Sequence, residues 1–233
     1  IGSGLVGSEM CIRDSIKTPL TSIINYVDLL KRENIQDPKI QGYLDILEAK
    51  AQRLKHLTED VVEASKISSG NITMEYMNIN FVEMINQTTG EFTEKFEKRN
   101  LQIVLNVPEK PVMVRTDGRR MWRVIENIYN NAAKYALEGT RVYANLIEKE
   151  HTVEFSLKNI SEQPLNISAD ELTERFIRGD VSRSTEGSGL GLSIAKNLTE
   201  LQGGKFELYL DGDLFKVTIV FPKAVVGQSV TKP

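Results

Sequence analysis

RVIENIYNNAAKYA, residues 123–136, is the stretch on which the fold turns. Asn127, Asn131 and Lys134 stand at i, i+4 and i+7, so on a helix they share one face. Ile125, Ile128 and Ala132 take the opposite, core-facing side. Asn is a poor interior helix former because its amide competes for backbone hydrogen bonds. Amide oxygens are hard neutral ligands suited to Mg2+, which keeps several waters and takes phosphate oxygens as its other partners. A lysine one turn on can meet phosphate charge. A plain solvated helix face accounts for the same residues equally well.

STEGSGLGLSIAKNL, residues 184–198, is the second informative stretch. Gly187, Gly189 and Gly191 alternate, and helical text begins directly after them. Glycines let backbone N–H groups approach phosphates closely, and a helix N-terminus adds favourable partial charge. A loop running into a helix is the plain alternative. The segment is neither a dinucleotide-binding loop, which needs Gly where Leu192 stands, nor a Walker loop, which needs Gly-Lys-Ser/Thr. The loop set of protein-serine/tyrosine kinases is also absent.

The rest of the chain supplies the frame. TPLTSIINYVDLLKRE places Leu20, Ile23, Ile24, Val27 and Leu30 on one helical stripe. NIQDPK interrupts it, and Asp37-Pro38 is an N-cap and first-turn pair for a second helix. That helix carries Ile40, Tyr43, Leu47, Leu54, Leu57, Val61 and Ala64 at 3–4 heptad spacing, with a polar gap at Lys50. Residues 16–68 therefore read as a helical hairpin too small to bury much core, and its seam predicts pairing with a second copy into a four-helix bundle, the alternative being packing onto the rest of the same chain.

After the turn residues 68–71, Asn80 and Glu83 form a capping-box pattern that opens a helix to about Asn100. LQIVLNV and PVMVRT read as strands, residues 117–136 as a helix, and residues 141–160 as a strand, a turn and a strand. Residues 160–187 are polar and irregular. A short helix to Leu201 is closed by Gly203 and Gly204, and a hairpin forms around DGD. The fold class is α+β: a helical hairpin, then a sandwich of helices on one face of a mixed sheet.

Composition bounds the function. The chain has 233 residues, 40% hydrophobic and 26% charged, with net charge -3. No basic surface argues for nucleic acid or an anionic membrane. Cys11 is the single cysteine, which excludes disulfides within the chain and thiolate metal clusters. No apolar run approaches the roughly 20 residues that span a bilayer.

NIYNNAAKY, ERFIRGDVSR and GSGLGLSIAK, in that order, closely resemble the N box, F box and second glycine box of the ATP-binding domain of bacterial sensor histidine kinases. IKTPLTSI resembles the phosphoacceptor box of the same family. The resemblance covers residues 16 to about 222 and implies a sandwich of the GHKL (Bergerat) ATPase type. It also implies roles. Asn131 is the principal Mg2+ ligand, with Asn127 near the phosphates, and Lys134 and Tyr135 touch phosphates and nucleotide. Phe176 and Arg178 belong to the F box, and Arg178 or Arg183 reaches toward the transferred phosphate. Gly187, Gly189, Leu190, Gly191 and Leu192 form the loop over the nucleotide, and residues 160–187 are the ATP lid. Thr18 stands where the family places the residue that orients water for phosphatase activity. Implied cofactors are ATP and Mg2+, and implied partners are a second copy and the receiver domain of a response regulator.

Two places depart from the pattern. The family's Asp-x-Gly-x-Gly, whose Asp accepts from the adenine amino group, is replaced by LKNISEQPL. Asn159 and Ser161 match its Asp and first Gly, and an Asn carbonyl can accept the same bond without charge. IKTPLTS is preceded in the family by the nucleophilic His and an acidic residue, but here by Asp14 and Ser15. His56 falls between seam positions and His151 in a hairpin turn, so neither replaces it. LVGSEMCIRDS, residues 5–15, can be back-translated to DNA that resembles, in frame, a transposase adapter used in sequencing libraries, so residues 1–15 are expected to be foreign.

The expected organisation is a foreign segment over residues 1–15, a phosphotransfer hairpin over 16–70, a catalytic domain over 71–223 and a tail over 224–233. The parent is expected to be a membrane-anchored sensor with a cytoplasmic kinase core. Rival readings are a degenerate, non-enzymatic ATP-binding or docking module and another ATPase of the same broad fold.

Overall fold

The computed structural model describes residues 3–33, 35–165 and 189–224, with side chains from Ile16 onward. The chain divides into two compact units, one built on residues 1–71 and one beginning at Ile72.

The first unit is a hairpin of α1 (Ser3–Arg32) and α2 (Pro38–Ser68). Helix α2 starts as the sequence predicts. The Asp37 carboxylate accepts from Lys39 N at 2.9 Å, and Pro38, which has no N–H to leave orphaned, opens the first turn. It ends on Gly70 at φ 70°, with Asn71 N bonded back to Lys66 O at 3.2 Å. Lys31 bridges Asp45 at 2.8 Å and Glu48 at 2.6 Å, which ties the helices together. Its hydrogen bonds to those carboxylates hold its ammonium above the usual lysine range.

The apolar stripes divide their duty differently from the expectation. Leu20, Val27, Leu44 and Ala51 are the buried apolar residues of the hairpin. Ile23, Leu30, Ile40, Tyr43, Leu47, Leu54 and Val61 remain exposed. Two antiparallel helices need only a narrow stripe between them, so a broad stripe leaves a second apolar face uncovered. The expected seam residues on α2 are therefore mostly that outward face.

The second unit is the α+β sandwich. Its elements are β1 (Tyr76–Asn80), α3 (Phe81–Glu97), β2 (Gln102–Asn106), β3 (Met113–Asp117), α4 (Gly118–Tyr135), β4 (Arg141–Glu148), β5 (Thr152–Ile160), α5 (Gly191–Leu201), β6 (Lys205–Asp211) and β7 (Leu214–Pro222). The main sheet has order β2-β4-β5-β7-β6, with only the β2–β4 pair parallel. Val153, Phe155 and Leu157 of β5 pair with Phe221, Ile219 and Val217 of β7, and all six are buried. The period of two sends these to the helix-covered face and Glu154 and Lys158 outward. Tyr129 of α4 sits in the core among Phe92, Phe96 and Phe155, its hydroxyl 2.8 Å from that of Thr89. Burial pushes its phenol up to about 12.

Two local expectations need correction. Strand β1 was not foreseen; it pairs antiparallel with β3 in a separate two-stranded sheet, Tyr76 opposite Asp117. Its sequence YMNIN is too polar to stand out by alternation. Asn80 precedes α3, but its side chain makes no capping bond, and the strand ladder runs into the helix start, where Phe81 N donates to Val112 O at 2.8 Å.

Candidate nucleotide site

Helix α4 is held at its N-terminus by Asp117. One carboxylate oxygen accepts from Arg120 N at 3.0 Å, and the other accepts from Glu75 N at 2.9 Å. Gln202, just beyond α5, accepts from Asp117 N at 3.0 Å and from the Thr116 hydroxyl. The start of α4 and the end of α5 are thus bonded to one turn. The Asp-Gly step at 117–118 is the sequence signal for this cap, and the expected helix over residues 117–136 begins one residue early.

The faces of α4 fall as the spacing predicts, with one refinement. Ile125, Ile128 and Ala132 are buried in the core. Asn127 is also buried, at 7% exposure, so it does not lie on a solvated face. Its Nδ2 is enclosed without a hydrogen-bond partner. A native interior rarely leaves an amide donor unpaired, so the position suits an acceptor supplied from outside the chain. Asn131, Lys134 and Tyr135 are half-buried. Lys134 Nζ donates to Tyr135 Oη at 2.9 Å and lies 4.6 Å from that ring's centroid.

The structure brings the two informative stretches together. A Cβ built on Gly191 would lie 3.2 Å from Asn127 Oδ1 and 3.6 Å from its Cγ. Gly191, the first residue of α5, therefore sits against the amide of α4, and its lack of a side chain sets that approach. Gly189, at φ 70°, and Leu190 lead into α5. Leu192 is buried in the core, so its side chain packs. Helix α5 closes as expected on Gly203, at φ 79°, with Gly204 N bonded to Thr199 O at 3.0 Å.

Asn159 ends the inner row of β5, buried at 3% exposure. Its Nδ2 donates to Ile160 O at 3.1 Å, while its Oδ1 is enclosed and unpartnered. A buried acceptor without a donor is what an exocyclic amine would satisfy. Ser161, also buried, bridges to Ala136 just past α4, which joins the end of β5 to the end of that helix.

Phe176, Arg178, Arg183 and Gly187 lie outside the described residues, as do the lid beyond residue 165 and the tail from residue 225. The side chains of Asp14 and Ser15 are likewise outside. Thr18 is exposed on α1, and its carbonyl accepts from Ser22 Oγ at 3.1 Å. His56 and His151 are exposed, as read from the sequence. Among the described residues no three His, Cys, Asp or Glu side chains cluster as a metal site, and no helix is long and apolar enough to cross a membrane. Amide oxygens fall outside such a cluster, so Asn131 stands as a donor by its chemistry alone.

Residues 12–70 match the family model of the His Kinase A (phospho-acceptor) domain. Residues 116–225 match that of the histidine kinase-, DNA gyrase B- and HSP90-like ATPases. The sensor protein VanS of Enterococcus faecium is 33% identical over 199 residues, covering 84% of this chain and 51% of its own length. VanSC of Enterococcus gallinarum is 30% identical over 211 residues, covering 89% of this chain and 58% of that protein. The chain thus spans little more than half the length of these relatives. Among solved structures, full-length ShkA in complex with AMPPNP superposes with a TM-score of 0.77 at 19% identity, over 94% of this chain and 46% of that one. The histidine kinase ThkA in complex with its response regulator TrrA gives 0.60 at 21% identity, over 93% of this chain and 61% of that one. Both superpositions carry the fold.

Proposed function

The chain belongs to the sensor histidine kinases, and from that we propose that it carries the kinase core of a two-component sensor, binding Mg·ATP between α4 and the start of α5. The observation that carries the proposal is the pairing of the buried, unpartnered Asn127 amide with the side-chain-free approach of Gly191. Backbone N–H groups at the N-terminus of α5 favour phosphate charge at that point. Lys134 adds a cation on the same helix face. Asn159 Oδ1 offers the acceptor for the adenine amino group. When bound, Mg2+ neutralises phosphate charge and orients the γ-phosphoryl group. Asn131, with a hard neutral oxygen on the same face as Asn127, would hold it. Arg178 or Arg183 would stabilise the transferred phosphate, with Phe176 in the F box, and Gly187, Gly189, Leu190 and Leu192 would complete the loop over the nucleotide.

The remaining roles follow from the family. We take residues 16–70 as the phosphotransfer hairpin, 71–223 as the catalytic domain and 1–15 as foreign. The outward apolar face of the hairpin, Leu47 and Leu54 included, suits a second copy and a four-helix bundle. The parent passes phosphate from ATP to a His and on to the Asp of a receiver domain, from the cytoplasmic side of a membrane-anchored sensor, with Thr18 orienting the water that hydrolyses the receiver's aspartyl phosphate to Asp and inorganic phosphate. This chain has Asp14 at the acceptor position, and an aspartate cannot replace the imidazole in that chemistry. The test is titration calorimetry with ATP. Binding should require Mg2+ and weaken by about 1–3 kcal/mol in Asn131→Ala, the scale for losing a hydrogen-bonding partner in a buried polar site. Equal affinity in both proteins, with and without Mg2+, would overturn the metal assignment.

A further inference from the structure

A helix leaves its last four carbonyls without partners inside the helix, and a glycine cap usually serves some of them. Helix α4 has no glycine there, and its terminal carbonyls are served mainly from other segments. Ala132 O accepts from Ala136 N at 3.0 Å. Ala133 O and Lys134 O accept from Nη1 of Arg99 at 3.1 and 2.5 Å. Tyr135 O accepts from Glu162 N at 2.8 Å. Leu137 N, which would have continued the ladder to Ala133, donates instead to Ile160 O at 2.8 Å. The same guanidinium reaches Glu162, its Nη2 2.7 Å from Oε2.

Arg99 is itself held by a rigid turn. Asn100 takes φ 52°, Asn100 N bonds to Glu97 O at 2.9 Å, and Leu101 N bonds to Phe96 O at 2.9 Å. That is the paired-bond cap that ends α3, closed by the buried Leu101 and Phe96. The guanidinium is thus presented from a fixed backbone to a helix C-terminus, where its charge also complements the dipole. A planar fork serves carbonyls and a carboxylate together from one fixed position, and the compact ammonium of lysine can reach only part of that set.

We propose that Arg99 is a positioning residue for nucleotide binding: with Glu162 it clamps the C-terminal end of α4, whose last two turns carry Asn131, Lys134 and Tyr135. The proposal rests on the nucleotide reading of that helix face. Arg99 touches no reacting group; it acts by keeping those three side chains in one arrangement.

The test compares wild type, Arg99→Met, Arg99→Lys and Asn131→Ala by calorimetry with Mg·ATP and by amide hydrogen exchange. Arg99→Met should lower ATP affinity about five- to tenfold, less than the roughly 10–100-fold of removing a charge-assisted bond to the ligand itself, because Arg99 acts only through the helix end. Exchange at Ala136 and Glu162 should accelerate, while the first turns of α4 stay protected. Arg99→Lys should recover part of both effects. Asn131→Ala should lose affinity yet keep its exchange pattern at the helix end. Affinity in Arg99→Met within about twofold of wild type overturns the positioning role, and uniform acceleration along α4 marks a general loss of stability and overturns it too. A wild type that binds no ATP defeats the nucleotide reading and this inference together, and unchanged exchange in Arg99→Met defeats the clamp alone.

Discussion

Gly191→Ala isolates the contact on which the proposed nucleotide site depends. The backbone at Gly191 is not left-handed, so alanine meets no conformational penalty there. The cost is steric: its Cβ lies 3.2 Å from Asn127 Oδ1, closer than ordinary carbon–oxygen contact. The amide is buried and cannot swing into solvent, so it must shift by a few tenths of an ångström. Overpacking of this kind costs about 1–2 kcal/mol, and the better helix propensity of alanine returns up to ~1 kcal/mol. Stability should therefore fall by about 2 kcal/mol at most. ATP affinity should fall as well, because a displaced Asn127 loses a hydrogen bond to a charged group, worth about 1.5–3 kcal/mol or roughly 10–100-fold in Kd. The assay is calorimetry on wild type, Gly191→Ala, Asn127→Ala and the double variant. Removing the amide also removes the clash, so the two losses should be strongly non-additive. Additive losses, or a Gly191→Ala protein that binds as wild type does, would refute the reasoning.

Gly204→Ala places a Cβ 2.6 Å from the ring of buried Phe221, and thermal unfolding should show a loss of about 2–3 kcal/mol that leaves the Asn127–Gly191 contact intact. Leu54→Asp charges the outward face of α2, where the side chain is half exposed within one chain; the protein should stay helical by circular dichroism but scatter light as a monomer at micromolar concentration. Tyr129 titrates at about 12 when folded and near the ordinary phenol value of about 10 when unfolded, so the folded state holds its proton more tightly. Its contribution is complete below pH ~10 and is lost as pH rises toward ~12, by up to about 2–3 kcal/mol. Tyr129→Phe should lower stability at neutral pH by about 1 kcal/mol through the lost Thr89 bond, and a denaturation series should show less loss above pH ~10 than wild type.

The helices and most strands were legible because their patterns are local. Asp37-Pro38 and Gly203-Gly204 carry start and stop signals that need no tertiary partner, and the structure uses both. β1 was not legible: YMNIN becomes a strand only because β3 lies beside it. The division of the hairpin stripe was hidden for a similar reason. Spacing shows that Leu44 and Leu47 are both apolar; which of them faces α1 depends on the packing of the pair. At the site, spacing placed Asn127 on the correct helix, but its burial comes from α5, distant in sequence. Arg99 and Glu162 could not be found at all, since neither belongs to a motif and they meet only across the fold.

As a kinase core with Asp14 at the acceptor position, this chain should need repair only at residues 14 and 15. Changing Asp14→His and Ser15→Asp restores His-Asp ahead of Ile16. Incubated with γ-labelled ATP, the double variant should take up acid-labile, base-stable label, and the unaltered chain should take up none. A folded double variant that binds Mg·ATP yet takes no label would contradict the kinase reading and leave the protein an ATP-binding docking module.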